Sequence, residues 1–141
     1  MVQKTPFHED LDATIELLNA FLHFDNDLVD GLARQIKDLS CELLICDIAP
    51  MGLAVAEAAG IPSILIENFT WDWIYEKYIN NNRYFENHVE YLRNIFNKAD
   101  YRIQTEPVCQ RCQADLISGP VGTGKIFSSP GRLRSSIPVL V

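Results

Sequence analysis

Long apolar runs are missing from this chain. None approaches the ~20 residues that a membrane span requires, and the opening MVQKTPFHEDLD lacks the apolar core of a signal peptide. A cytoplasmic protein is expected. Basic residues are scarce as well: 12 Lys and Arg stand against 19 Asp and Glu, for a net charge of −7. Sequence-blind binding to nucleic acid or to anionic membranes draws its affinity from clustered Lys and Arg, so the charge argues against both. Four cysteines, two of them inside or beside an apolar strand, do not make a disulfide framework in a domain of this size, and reduced thiols are expected. The three histidines, His8, His23 and His88, are scattered along the chain, and His23 reads as an imidazole on a helix surface. There is no G-x-S-x-G, no paired-carboxylate motif and no internal repeat. Neither a metal nor a cofactor is expected.

What is present suits one compact domain. At 141 residues and 48% hydrophobic content the chain can fill a single core. Met1 to Asp10 has turn chemistry at Thr5-Pro6 and no periodicity, which predicts an irregular opening. Leu11, Ile15, Leu18 and Leu22 then recur at helical spacing, with Leu17, Phe21 and Phe24 widening the stripe, and Leu28, Leu32, Ile36 and Leu39 continue it. Asp25-Asn26-Asp27 between the two sets favours a break or a new N-cap. Two helices, or one bent helix, are expected to end near Ser40.

The central stretch, Leu43 to Tyr78, reads as strand, tight turn, helix, strand and a polar, aromatic corner. Leu43 to Cys46 is a short apolar run, as expected of a strand buried on both faces of a parallel sheet. Pro50 suits the first turn of the next helix, Met51 to Ala59 is rich in helix formers, and Gly60 supplies the C-cap. Ser63 to Ile66 forms the second strand. Thr70 is a candidate N-cap and Asp72 a first-turn charge for a helix from Trp71 to about Tyr78. A further helix, Tyr84 to Lys98, is expected to bury Phe85, Val89, Leu92 and Phe96. A third strand at Tyr101 to Gln104 and a short fourth at Leu116-Ile117 follow. The fold class is therefore α/β, a short parallel sheet with flanking helices, over residues 1–120. Residues 121–141 read as a flexible tail or the start of an inter-domain linker.

A βαβ unit delivers the carboxyl ends of its strands to one edge of the sheet, where open α/β folds bind ligands. Asp47, Pro50, Asn68, Thr70, Trp71 and Asp72 would stand on that edge. Asn and Asp side chains offer donors and acceptors to sugar hydroxyls, and Trp71 offers a flat face to a ring. The plainer alternative is that Asp47, Thr70 and Asp72 only cap helices and that Trp71 and Trp73 are core. Two other motifs compete. Gly119-Pro-Val-Gly-Thr-Gly124-Lys125 meets part of a P-loop, but Ile126 replaces the Ser or Thr that should hold Mg²⁺ and FSSPG cannot open a helix. Cys109-Gln-Arg-Cys112 has no second pair for a zinc site and reads as surface thiols, with a metal or redox role as the alternative.

The string CDIAPMGLAVAEAAGIPSILIENFTWDWIYEKY resembles the N-terminal domain of GT-B-type glycosyltransferase-like proteins and the corresponding half of plant L-arabinokinases. Those proteins carry an Asp-x-x-Pro turn, an Ala-rich helix and an Asn-Phe-[Ser/Thr]-Trp-Asp corner. Asp47, Pro50, Asn68, Phe69, Thr70, Trp71 and Asp72 carry the match, followed by Ile74 and Tyr75. The resemblance implies a Rossmann-like domain that receives the acceptor, while a second domain holds the nucleotide-sugar and a base deprotonates the acceptor hydroxyl. The opening Gly-rich strand and the donor-binding half of that pattern have no counterpart here. The expectation is a glycosyltransferase-like protein, transferring a hexosyl group from a nucleotide-sugar, present as a partial chain that is inactive without the missing domain or another chain. A non-catalytic sugar-binding or regulatory module and a small P-loop nucleotide-binding protein are the alternatives.

Overall fold

The computed structural model describes residues 1–120. The expected tail, 121–141, lies outside the described residues, and so does the P-loop candidate from Val121 onward.

The opening is not irregular. Strands β1 (Val2–Thr5) and β2 (His8–Asp10) form an antiparallel hairpin in which Val2 faces Asp10 and Gln3 faces Glu9. Its turn falls at Pro6-Phe7, one residue beyond the expected Thr5-Pro6, and its strands have no apolar alternation to announce them. They are fastened from elsewhere in the chain: the Val2 N–H donates to Thr14 Oγ1 at 3.0 Å, and the Tyr78 hydroxyl donates to the Glu9 carboxylate at 2.7 Å.

Two helices follow, α1 (Leu11–Phe21) and α2 (Asn26–Asp38). Asp10 caps the first by accepting from the Ala13 N–H, and Asp25 caps the second by accepting from Asp27 and Leu28. The Asp25-Asn26-Asp27 break thus acts as its composition implies.

The remaining elements are β3 (Leu44–Asp47), α3 (Pro50–Ala59), β4 (Ser63–Glu67), α4 (Trp71–Glu76), α5 (Phe85–Phe96), β5 (Tyr101–Thr105) and β6 (Leu116–Ser118). The last four strands make an all-parallel sheet in the order β3-β4-β5-β6. Pro50 opens α3, and Gly60, at φ 67°, ends it in the left-handed conformation that glycine adopts without strain. α4 is shorter than its aromatic pattern suggests and ends before Tyr78. The class is Rossmann-like α/β, with helices flanking a four-stranded parallel sheet.

Crossovers that advance β3 to β4 to β5 in one direction, each right-handed, put α3 and α5 on the same face of the sheet. The two helices touch there, and α2 packs on α3. Register and burial agree. Cys46, Leu65 and Arg102 are cross-strand neighbours on the covered face, where Cys46 and Leu65 are buried, beneath Phe85, Val89, Leu92 and Phe96. Ile45, Ile64 and Tyr101 are neighbours on the other face. Ile45 keeps 62% of its surface. Among the described residues β3 is therefore an edge strand covered on one face, and the expectation of burial on both faces is corrected. An apolar run marks a strand that prefers two covers, but it cannot say whether the described chain supplies them. Among the described residues no helix is long and apolar enough to cross a membrane.

Candidate functional site

The carboxyl ends of β3 and β4 lie side by side, with Asp47 paired to Ile66. Over the end of β3 opens a mainly apolar cleft of about 370 Å³, within the size range of small-molecule sites. Its floor and walls come from three places. The turn after β3 supplies Asp47, Ile48, Ala49 and Pro50. The start of α4 supplies Trp71 and Tyr75. From α1 and its C-cap come Leu18, Phe21 and Leu22, with Met1 and Leu92 completing the lining.

The turn has an unusual backbone. Ile48 sits at φ 48°, a left-handed conformation that opposes a β-branched side chain and costs on the order of 1–3 kcal/mol. Its N–H donates to the Ile66 carbonyl at 3.2 Å, tying the strained residue to β4. Strain of this kind persists where surrounding structure over-determines it, commonly at ligand sites. Asp47 is exposed beside it and forms no ion pair with any described residue. It does not cap α3: the N-cap position belongs to Ala49, which makes no side-chain capping bond.

Trp71 is half-buried. Its ring meets Phe69 edge-on at 5.2 Å and stacks on Tyr75 at 5.9 Å with the planes 23° apart. Burial pushes the Tyr75 phenol above its ordinary pKa, so it stays a neutral wall of the cleft at physiological pH.

The candidate residues thus divide. Asp47, Pro50 and Trp71 meet in the cleft. Asn68 and Thr70 stand at the same sheet edge without lining it. The Asn68 carbonyl accepts from the Cys109 N–H at 2.8 Å, and Thr70 occupies the N-cap position of α4 without a side-chain capping bond. Asp72 turns toward α5, where its carboxylate lies 3.6 Å from Arg93 Nε, and its Oδ1 is buried without a hydrogen-bond partner. Leu18, Phe21 and Leu22 were legible as an amphipathic stripe but carry no mark separating cleft wall from core. Ile48 carried no signal at all, since its torsion is invisible in its side-chain type.

Two further clusters were not foreseen. His88 is buried, at 4% exposure, and its ring lies 6.0 Å from that of His23. His23 follows the end of α1 and packs against Tyr91 at 4.3 Å with the planes tilted by 38°, so two of the scattered histidines converge. Burial, with help from His23, holds the His88 imidazole below its ordinary pKa. On the covered face, the buried carboxylate of Glu67 meets Arg102 Nη1 at 3.5 Å, Gln104 Nε2 at 3.3 Å and Cys112 Sγ at 3.4 Å. A larger and more polar hollow, about 520 Å³, opens beside Arg102, Cys112 and Asp115. It includes none of the residues at the ends of β3 and β4, so the smaller cleft is the one matching the ligand edge of this fold. Among the described residues no group of three or more His, Cys, Asp or Glu is placed to hold a metal ion.

Fold and cleft together define a Rossmann-like α/β domain with an aromatic-walled pocket at its strand ends. The chain is similar to the L-arabinokinase of Arabidopsis thaliana, with 21% identity over 115 residues that cover 80% of this chain and 11% of that protein. It therefore spans a small part of that relative's length. No protein-family model matches the chain, and no solved structure does.

Proposed function

We propose that this chain is the acceptor-side portion of a GT-B glycosyltransferase-like protein, and that its cleft binds a sugar or the sugar part of a nucleotide-sugar. The observation that carries the reading is the meeting of Asp47 and Trp71 across one pocket at the carboxyl edge. A carboxylate accepts hydrogen bonds from vicinal hydroxyls while an aromatic face covers the apolar side of a pyranose or furanose ring. Asn68 and Thr70 stand at the same sheet edge, and Asp72 fastens α4 through Arg93. The distant likeness to a protein named for an arabinose kinase supports a sugar ligand. Transfer of a hexosyl group needs a donor-binding domain or another chain, so the chain on its own is inactive.

A non-catalytic sugar-binding module is the second reading, favoured by the mainly apolar lining of the cleft. Titration of Trp fluorescence with L-arabinose, hexoses and UDP-sugars separates the outcomes. Saturable quenching that Asp47→Asn abolishes, with calorimetric binding also lost in Trp71→Ala, supports the sugar site. No saturation at millimolar ligand by wild-type protein that is folded by circular dichroism rejects it. Turnover of a UDP-sugar only after a donor domain is added distinguishes the transferase from the binding module.

A further inference from the structure

The sequence left Cys109-Gln-Arg-Cys112 as surface thiols, and the site above makes no use of them. Both cysteines are free and exposed, on the loop joining β5 to β6. This loop is not loosely held. The side-chain amide of Gln104, 1% exposed, donates to the Gln110 carbonyl at 3.0 Å and accepts from the Cys112 N–H at 3.3 Å. One buried amide therefore clamps the segment on both sides of Arg111. The Cys109 N–H is fixed to the Asn68 carbonyl at 2.8 Å. Below them, Arg102 Nη1 donates to Cys112 Sγ at 3.1 Å, and the same sulfur lies 3.4 Å from Glu67 Oε1.

We propose that Cys109 and Cys112 are a redox-active dithiol that low-molecular-weight disulfides of the glutathione class oxidise to an intramolecular disulfide. The two residues between them are Gln110 and Arg111, and the chain bends at Cys109 and Gln110; a bent span of this length suits the roughly 4.4–6.8 Å Cα separation that a disulfide requires. The Cys109 thiolate attacks the small disulfide, forming a mixed disulfide and expelling one small thiolate. The Cys112 thiolate then attacks the Cys109 sulfur and expels the second. The protein dithiol loses two electrons, and its two protons end on the two released thiols. Arg102 and Glu67 make both states tolerable: when Cys112 Sγ turns away toward Cys109, the buried carboxylate keeps its guanidinium partner at 3.5 Å and its Gln104 donor. No buried charge is left unpaired by the step. Cys109 is exposed and meets the small disulfide from solvent, while the polar hollow borders Cys112 beside Arg102. This inference is independent of the sugar reading.

The test is equilibration of the full chain in reduced and oxidised glutathione mixtures, acid quench, alkylation and peptide mapping. Expected is the loss of two of the four alkylatable thiols, with a single Cys109–Cys112 link, full recovery by excess reduced glutathione, and an unchanged far-UV spectrum. Cys112→Ser should stop the reaction at one glutathione on Cys109, and Cys41→Ser should leave the link intact. Arg102→Gln should slow closure several-fold without changing which cysteines pair. Four thiols still alkylatable in oxidised glutathione, a link that forms only in denaturant, or a link through Cys41 would each overturn the proposal.

Discussion

The carboxylate of Asp72 lies 3.6 Å from Arg93 Nε across the contact between α4 and α5, on the far side of the helix turn whose neighbour, Trp71, lines the cleft. Two adjacent residues of one sequence motif thus serve different surfaces. Asp72 fastens the helix that presents Trp71, and its side chain is only 13% exposed. Asp72→Asn should cost about 1 kcal/mol or less, because Arg93 is half in water and the pair is screened, and should leave sugar affinity within about twofold. Urea melts and the fluorescence titration check both halves; a tenfold loss of affinity would put Asp72 in the site.

Trp71→Ala should do the reverse. The stack on Tyr75 contributes about 0.5–1.5 kcal/mol beyond burial, a loss the rest of the core tolerates, while ring stacking with a ligand disappears. Affinity for sugars should fall at least about tenfold in a protein that still unfolds cooperatively. Isothermal calorimetry beside a thermal melt reads the two effects separately.

Gly52 tests the seat of α3 on the sheet. A Cβ at this position would stand 2.7 Å from Cys46 Sγ, itself buried. Gly52→Ala adds helix propensity worth up to about 1 kcal/mol, yet overpacking of this kind costs about 1–3 kcal/mol, so a net loss is expected. In a Cys46→Ala background the same change should turn neutral or stabilising. A double-mutant cycle in urea measures the coupling; additive effects would mean that the helix simply shifts aside.

The two faces of the sheet offer a contrast between residues of neighbouring strands. Leu65 is 0% exposed and Leu65→Ala should cost about 2–5 kcal/mol. Ile45, at 62% exposure, should accept Lys with a change within about 0.5 kcal/mol. Light scattering should show less self-association for Ile45→Lys than for wild type, since a partly open apolar sheet face beside an edge strand promotes it.

His88 makes stability depend on pH. Its folded pKa is depressed by burial and by His23, so the unfolded chain binds the proton more readily. Stability is therefore full above the unfolded value near 6.5 and declines as pH falls through it toward the folded pKa. Relative to wild type, His88→Gln should lose less stability between about pH 7.5 and about pH 5. Parallel urea melts at the two pH values decide it; equal slopes would mean that His88 titrates alike in both states.

From α1 onward the order of elements, the helical stripes, the Asp25 cap, the Gly60 stop and the parallel βαβ centre were legible in the amino acids, because each is decided by local periodicity, capping chemistry or backbone torsion preference. So was the edge on which Asp47, Pro50 and Trp71 meet, since a βαβ unit permits few other arrangements. What the amino acids could not decide were relations between groups distant in the chain. The hairpin at the start is fastened by Thr14 and Tyr78, Glu67 is buried beneath Arg102 and Cys112, and Asp72 is drawn to Arg93. Each depends on which side chains the packed helices bring within about 3–4 Å of one another. Local sequence does not specify that distance. Only the tertiary fold does.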